Sequence, residues 1–240
     1  VRDWKWVVFD IDGVLIDVSE SYDRAVKLTA EGFLAKLGVE KSISLQTVRN
    51  FRKRGRFGDD YQVTEGLVLV RLSPNSEEII DRFPRGKDLG WIREWTERKI
   101  GRDAVRSVFD RLYLGGILSK GNDKSDGLWQ KEKPLVDTDL LHKARGQFNL
   151  GFITGRSREE VELASQILDY EFNNVITRDE YQKPDPRALT ALVGDEAGVY
   201  LGDTFNDRLL VDNFNEKGGV YSFIKINEEN PVNDLLNRII

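Results

Sequence analysis

From residue 149 to the C-terminus, four short apolar runs alternate with four stretches whose apolar residues recur at helical spacing. The runs at 149–153, 173–176, 198–201 and 219–224 have strand length, and the stretches at 157–168, 186–193, 206–213 and 231–239 have helix length. Strands separated by helices pair in parallel, since a parallel neighbour needs a long crossover. Helices then cover both faces of the sheet. The pattern predicts an α/β fold, a doubly wound parallel sheet.

A fifth run stands apart at residues 4–10, with Val7, Val8 and Phe9 at its centre. An isolated strand leaves its backbone donors and acceptors unpaired, so this one belongs with the C-terminal set. Between them the pattern is helical. Ala25, Leu28, Phe33, Leu34 and Leu37 recur at helical spacing and Gly38 fits a C-terminal stop. Further helices are predicted over 44–52, 65–72, 76–83, 89–99 and 103–114, and a Lys-, Asp-, Ser- and Gly-rich loop over 119–126. The expectation is a discontinuous core, 1–18 and 125–240, interrupted by an all-helical domain over 19–124.

Composition removes several chemistries. The 240 residues include no cysteine and one histidine, His142, which is expected on a helix surface. Disulfides, thiolate metal sites and His-rich zinc sites are excluded, and a Ser-His-Asp triad is disfavoured. Lys and Arg total 36 against 41 Asp and Glu, a formal net charge of −5, so no basic balance favours nucleic acid or an anionic membrane. No apolar stretch approaches the roughly 20 residues of a spanning helix. No basic-then-apolar leader precedes the first strand, and a cytoplasmic location is the expectation. Nothing in the pattern signals an oligomeric state.

Catalysis must then rest on carboxylates, lysine, hydroxyls and backbone amides. Ligands of open parallel sheets bind beyond the carboxyl ends of the strands. There the first strand delivers Asp10 and Asp12, and the second delivers Thr154-Gly155-Arg156. The loop after the third carries Lys183-Pro184-Asp185-Pro186, and the fourth delivers Gly202-Asp203-Thr204 with Asp207 one helical turn on. Clustered carboxylates repel one another unless a cation sits among them, and hard oxygen ligands suit magnesium. Beside such a metal a carboxylate can attack phosphorus, while a lysine and hydroxyl or amide donors stabilise the transferring phosphoryl group. Each motif alone also fits a local role, such as a turn at Asp12-Gly13 or a helix cap at Asp185.

Taken in order, Asp10-Ile11-Asp12-Gly13-Val14-Leu15, Ile153-Thr154-Gly155-Arg156, Lys183-Pro184-Asp185-Pro186 and Gly202-Asp203-Thr204-Phe205-Asn206-Asp207 resemble the four motifs of the haloacid dehalogenase superfamily. The resemblance implies that Asp10 is the nucleophile and a magnesium ligand. It makes Asp12 the general acid/base and a ligand through its main-chain carbonyl. Thr154 and the Gly155 amide would hold the phosphoryl group, Lys183 would neutralise charge, and Asp203 would complete the metal site with Asp207 a direct or water-mediated ligand. Dehalogenating members lack the acid at the place of Asp12, so the implied chemistry is phosphoryl transfer from a small phosphorylated metabolite. Hydrolase and phosphomutase both stay open, and a phospho-acceptor signalling module is the third, weaker reading.

The insertion after the first motif resembles the helical cap of the subfamily that includes phosphoglycolate phosphatase and β-phosphoglucomutase. Within it Arg52, Lys53, Arg54 and Arg56 form a basic, glycine-containing segment that is expected either to read the substrate or to be a solvated helix face.

Overall fold

A computed structural model describes residues 4–118 and 126–240, so the loop expected over 119–126 lies, except for its last residue, outside the described residues. The chain divides into two compact units, Val1–Val18 with Glu132–Ile240 and Ser19–Lys131.

The second unit is helical: α1 (Tyr22–Lys36), α2 (Leu45–Arg54), α3 (Asp60–Arg71), α4 (Ser76–Asp81), α5 (Leu89–Thr96) and α6 (Arg102–Leu114). Ser44, Asp59 and Asp88 open α2, α3 and α5, each side chain accepting from the backbone N–H three residues on. The Asp59 cap explains why α3 begins at Asp60 rather than at 65. Buried on all sides, α3 is the axis on which α1, α5 and α6 pack through residues such as Val63, Leu67 and Val70. Its one buried acid, Glu65, is satisfied by both arms of Arg93, at 2.8 and 2.7 Å, and by the Ile100 amide. A turn of 3-10 helix, Leu128–Lys131, packs on α1 and α6 and carries this unit to Lys131.

The first unit contains β1 (Trp6–Phe9), β2 (Ile16–Asp17), β3 (Lys133–Pro134), β4 (Asn149–Ile153), β5 (Val175–Ile176), β6 (Gly198–Gly202) and β7 (Tyr221–Lys225). Its helices are α7 (Thr138–Arg145), α8 (Arg158–Leu168), α9 (Arg187–Val193), α10 (Phe205–Glu216) and α11 (Val232–Ile239). Five strands form one parallel sheet in the order β5-β4-β1-β6-β7, which puts the sequence-distant β1 at its centre. The doubly wound α/β fold is thus present. Alternation along β1 shows how it closes. Val7 and Phe9 pack into the layer of Leu141, Ala164 and Leu236, and Val8 packs into the layer of Ala188, Leu189 and Leu210. Each such side chain contributes about 1.5–3 kcal/mol on burial.

Some elements differ from the sequence pattern. The helix α7 is too short to show a period, but Asp137 caps it and Leu140, Leu141 and Ala144 give it a buried face. Helix α10 runs on to Glu216 and closes through Gly218, at φ +95°, and a Gly219 N–H bond to Phe214 O, so β7 starts at Tyr221 rather than 219. At the sheet edge, β5 keeps only the pairs Phe152–Val175 and Ile153–Ile176. The antiparallel pair β2–β3, Ile16 opposite Pro134 and Asp17 opposite Lys133, joins segments too short to register as strands. Among the described residues, no helix is long and apolar enough to cross a membrane.

The centre of the sheet tolerates little extra volume. A Cβ on Gly198 would sit 2.5 Å from the Trp6 carbonyl oxygen and 2.6 Å from the Tyr221 hydroxyl. Gly198→Ala is expected to lower stability by about 1–3 kcal/mol in a denaturant titration. An unchanged midpoint would contradict this packing.

Candidate active site

Parallel strands running in one sense deliver their carboxyl ends to one edge of the sheet. Asp10 follows β1, Thr154 follows β4, Asp203 follows β6, and Lys183 lies in the loop between β5 and α9. The core residues singled out by sequence therefore converge from four separate segments.

Asp10 is 3% exposed. One of its oxygens accepts the Ile11 N–H at 2.7 Å, and the other meets the Lys183 ammonium at 2.8 Å. Lys183 also reaches Asp207 Oδ1, at 2.6 Å. Asp207 is fully buried in the first turn of α10 because it forms a reciprocal cap with Thr204. Its Oδ2 accepts the Thr204 amide and hydroxyl, and that hydroxyl accepts the Asp207 N–H. The Tyr200 hydroxyl sits 3.1 Å from Asp207 Oδ1 and 3.2 Å from the Ile153 carbonyl. Donors thus occupy both Asp207 oxygens.

Two glycines make room for these acids. At Gly13, φ is +74° and a Cβ would lie 2.4 Å from Asp203 Oδ2. At Gly202 a Cβ would lie 2.5 Å from the Asp207 Cβ. Any side chain at either position would push a carboxylate out of place.

Ligand oxygens of Asp10, Asp203 and Asp207 lie within 4.8 Å of one another, and among the described residues Lys183 is the cation paired with them. The electrostatics follow from that imbalance. Burial raises Asp10 well above the usual carboxyl range, the Asp207 charge adds to this, and Lys183 offsets only part. Burial and the Asp207 charge push Asp203 up to about 7. Burial works against ionised Asp207 too, but Lys183 and the Thr204 hydrogen bonds outweigh it and hold that carboxyl below its ordinary value. Burial alone would lower Lys183, yet Asp10 and Asp207 together hold its ammonium above the usual range.

Asp203 Oδ1 is buried and takes no hydrogen bond. A buried carboxylate oxygen left without a donor is the feature a cation would satisfy, and an all-oxygen donor set fits a hard divalent ion such as magnesium.

At the end of the neighbouring strand β4, the Thr154 hydroxyl accepts the Arg156 N–H at 3.2 Å, which leaves its own proton to donate. Gly155 is exposed, and its carbonyl is held by Arg178 at 3.1 Å. Asp12 Oδ1 accepts from both Nε and Nη2 of Arg156, at 2.8 and 2.6 Å. Arg156 is fully buried and also meets Glu132 Oε2 at 2.7 Å.

Sequence reasoning gave no role to Arg156, Glu132 or Tyr200. Arg156 was visible inside its motif, but only burial shows that the charge points inward; Glu132 and Tyr200 carry no local signal. Arg52, Lys53, Arg54 and Arg56 belong to the helical unit. There Arg52 pairs with Asp23 and Asp60, Arg54 donates to the Phe83 carbonyl, and Lys53 and Arg56 are exposed. His142 is exposed on α7.

A family model of haloacid dehalogenase-like hydrolases matches residues 4–209. Among solved structures, phosphatase Tt82 from Thermococcus thioreducens is 46% identical, with a TM-score of 0.85 over 98% of each chain. A predicted phosphoglycolate phosphatase from Haemophilus somnus is 14% identical, with a TM-score of 0.58 over 97% of this chain and 89% of its own. A subfamily IA hydrolase of the same superfamily from Geobacter sulfurreducens is 18% identical, with a TM-score of 0.50 over 91% and 85%. These last two bear on the fold alone. No curated protein matches.

The Asp203 shift has a sign that can be tested. In metal-free protein the folded state holds this proton up to about pH 7, whereas the unfolded chain releases it near ~3.9. The associated stabilisation is full below the lower value and is lost as pH rises through the upper one. Urea midpoints in chelator, from about pH 4 to 7, are expected to decline more steeply for the wild type than for Asp203→Asn. Parallel profiles would refute this.

Proposed function

The chain belongs to the haloacid dehalogenase-like hydrolases, and from that membership we propose that it is a magnesium-dependent phosphomonoester hydrolase acting on a small phosphorylated metabolite. The observation that carries the proposal is the pairing of buried Asp10 with Lys183 beside an Asp203 carboxylate oxygen that no donor satisfies. The 46% identity to a phosphatase supports the same reaction class.

In the proposed mechanism an Asp10 oxygen attacks phosphorus in line. The new Asp10–phosphorus bond forms as the ester oxygen departs, and Asp12 gives that oxygen its proton. Asp12 then takes a proton from water, which attacks phosphorus. The Asp10–phosphorus bond breaks, releasing inorganic phosphate and restoring the carboxylate. Lys183 stabilises charge on Asp10 and the phosphoryl oxygens, and the Thr154 hydroxyl and Gly155 amide orient them. Asp10, Asp203 and the Asp12 main-chain carbonyl would hold magnesium, which would supply the positive field that lets two anions meet. Asp207, both of whose oxygens already accept hydrogen bonds, chiefly fixes Lys183.

Wild-type protein is expected to release phosphate from p-nitrophenyl phosphate with magnesium and to stop in excess chelator; Asp10→Asn falls to background. Full activity in that variant would sink the mechanism. A panel of sugar phosphates, phosphoglycolate, nucleotides and amino-alcohol phosphates then ranks substrates. Phosphate release without an isomerised product separates hydrolase from mutase.

A further inference from the structure

We propose that Arg156, backed by Glu132, is the positioning residue that fixes the Asp12 carboxylate for proton transfer; this rests on the hydrolase reading of Asp12. The backbone around Asp12 is set by a tight loop, with Gly13 N–H bonded to Ile16 O at 2.8 Å and Leu15 N–H to Ile11 O at 2.8 Å. Those bonds leave the side-chain torsions of Asp12 open. Two guanidinium N–H groups converging on Oδ1 close them, and Oδ2 is left as the oxygen that carries and passes the proton.

The rest of the Arg156 environment shows why the fork is held firmly. A surface ion pair would orient little, because solvent and side-chain freedom dissolve it. Here the guanidinium is 0% exposed, and the Glu132 side chain that meets it is also 0% exposed. Nη2 is shared between Asp12 and Glu132, at 2.6 and 2.7 Å, and Nη1 donates to the Glu160 carbonyl at 3.3 Å. The planar head is therefore pinned on the side away from Asp12. The Arg156 backbone N–H meanwhile donates to the Thr154 hydroxyl. One residue thus sets the proton donor on the leaving-group side and the hydroxyl on the phosphoryl side. A lysine would supply charge but not a fork with two N–H groups on one oxygen.

A purely structural buried pair would make a different prediction, and the leaving group separates the two. The value of kcat/KM reports steps up to the first phosphorus–oxygen cleavage, where Asp12 protonates the departing oxygen. An alkoxide leaving group needs that proton, whereas p-nitrophenolate needs it little.

The test uses Arg156→Lys, which keeps a positive partner for Glu132, and the double variant Arg156→Met, Glu132→Met, which removes the fully buried pair together and leaves neither of those two charges alone in the core. With glycerol 2-phosphate, kcat/KM is expected to fall about 100-fold, and with p-nitrophenyl phosphate no more than about tenfold. In a crystal structure of the double variant, the Asp12 carboxylate should leave its place. Equal losses on both esters, or an Asp12 carboxylate that has not moved, would overturn the proposal. Failure of the hydrolase reading shows up separately, as wild-type protein that releases no phosphate or as activity surviving Asp10→Asn. The Asp12 position in the variant crystal decides the role of Arg156 in either case.

Discussion

Charge imbalance at one edge of the sheet governs much of this structure. Asp10, Asp203 and Asp207 offer oxygens within 4.8 Å of one another, and among the described residues the ammonium of Lys183 is the cation paired with this set. Lys183 divides itself between Asp10 and Asp207, and Asp207 is further held by Thr204 and Tyr200. Asp203 receives none of that help at Oδ1, and its carboxyl is raised to about 7 by burial and the Asp207 charge. A fold that encloses such a set stores an unmet demand for positive charge. A divalent cation meets that demand by the same Coulomb attraction that a second lysine would supply, while keeping coordination positions open for phosphate.

The sheet makes this arrangement possible. Residues 10, 154 and 203 end neighbouring strands only because β1 is inserted between β4 and β6, with Phe9 level with both Phe152 and Leu201. The register leaves no spare volume at the edge. Gly13 and Gly202 lie where a Cβ would collide with Asp203 and Asp207. These glycines thus answer to the bulk of the clustered acids, and not only to turn geometry.

Much of this was legible in the sequence, for a physical reason. The strand over 149–153 and the helix ending at Leu168 carry their periodicity in consecutive residues, and the chemistry at strand ends follows from a general rule of parallel sheets. What stayed hidden depends on contacts distant in sequence. Nothing near Glu132 says that it will be buried against Arg156, 24 residues away. Likewise, Val199 and Tyr200 look alike as strand residues until the sheet assigns them faces, and only Tyr200 reaches Asp207. Arg52 and Arg54 show the same dependence on distant contacts. Their charge fits substrate contact or a solvated face, and nothing local says that Asp23, Asp60 and the Phe83 carbonyl engage them within the helical unit.

Lys183 and Arg156 in the core unit show why lysine and arginine are not interchangeable here. Lys183 must serve Asp10 and Asp207 from between them, and a compact ammonium with rotatable donors does so without fixing a plane. Arg156 has to hold an orientation. Its flat head meets Asp12 with two donors and Glu132 and the Glu160 carbonyl with others, so rotation of Asp12 breaks two bonds at once. Asp10 needs a compensating charge and Asp12 a direction, and with neither cysteine nor a second histidine in the chain both needs fall to the basic side chains.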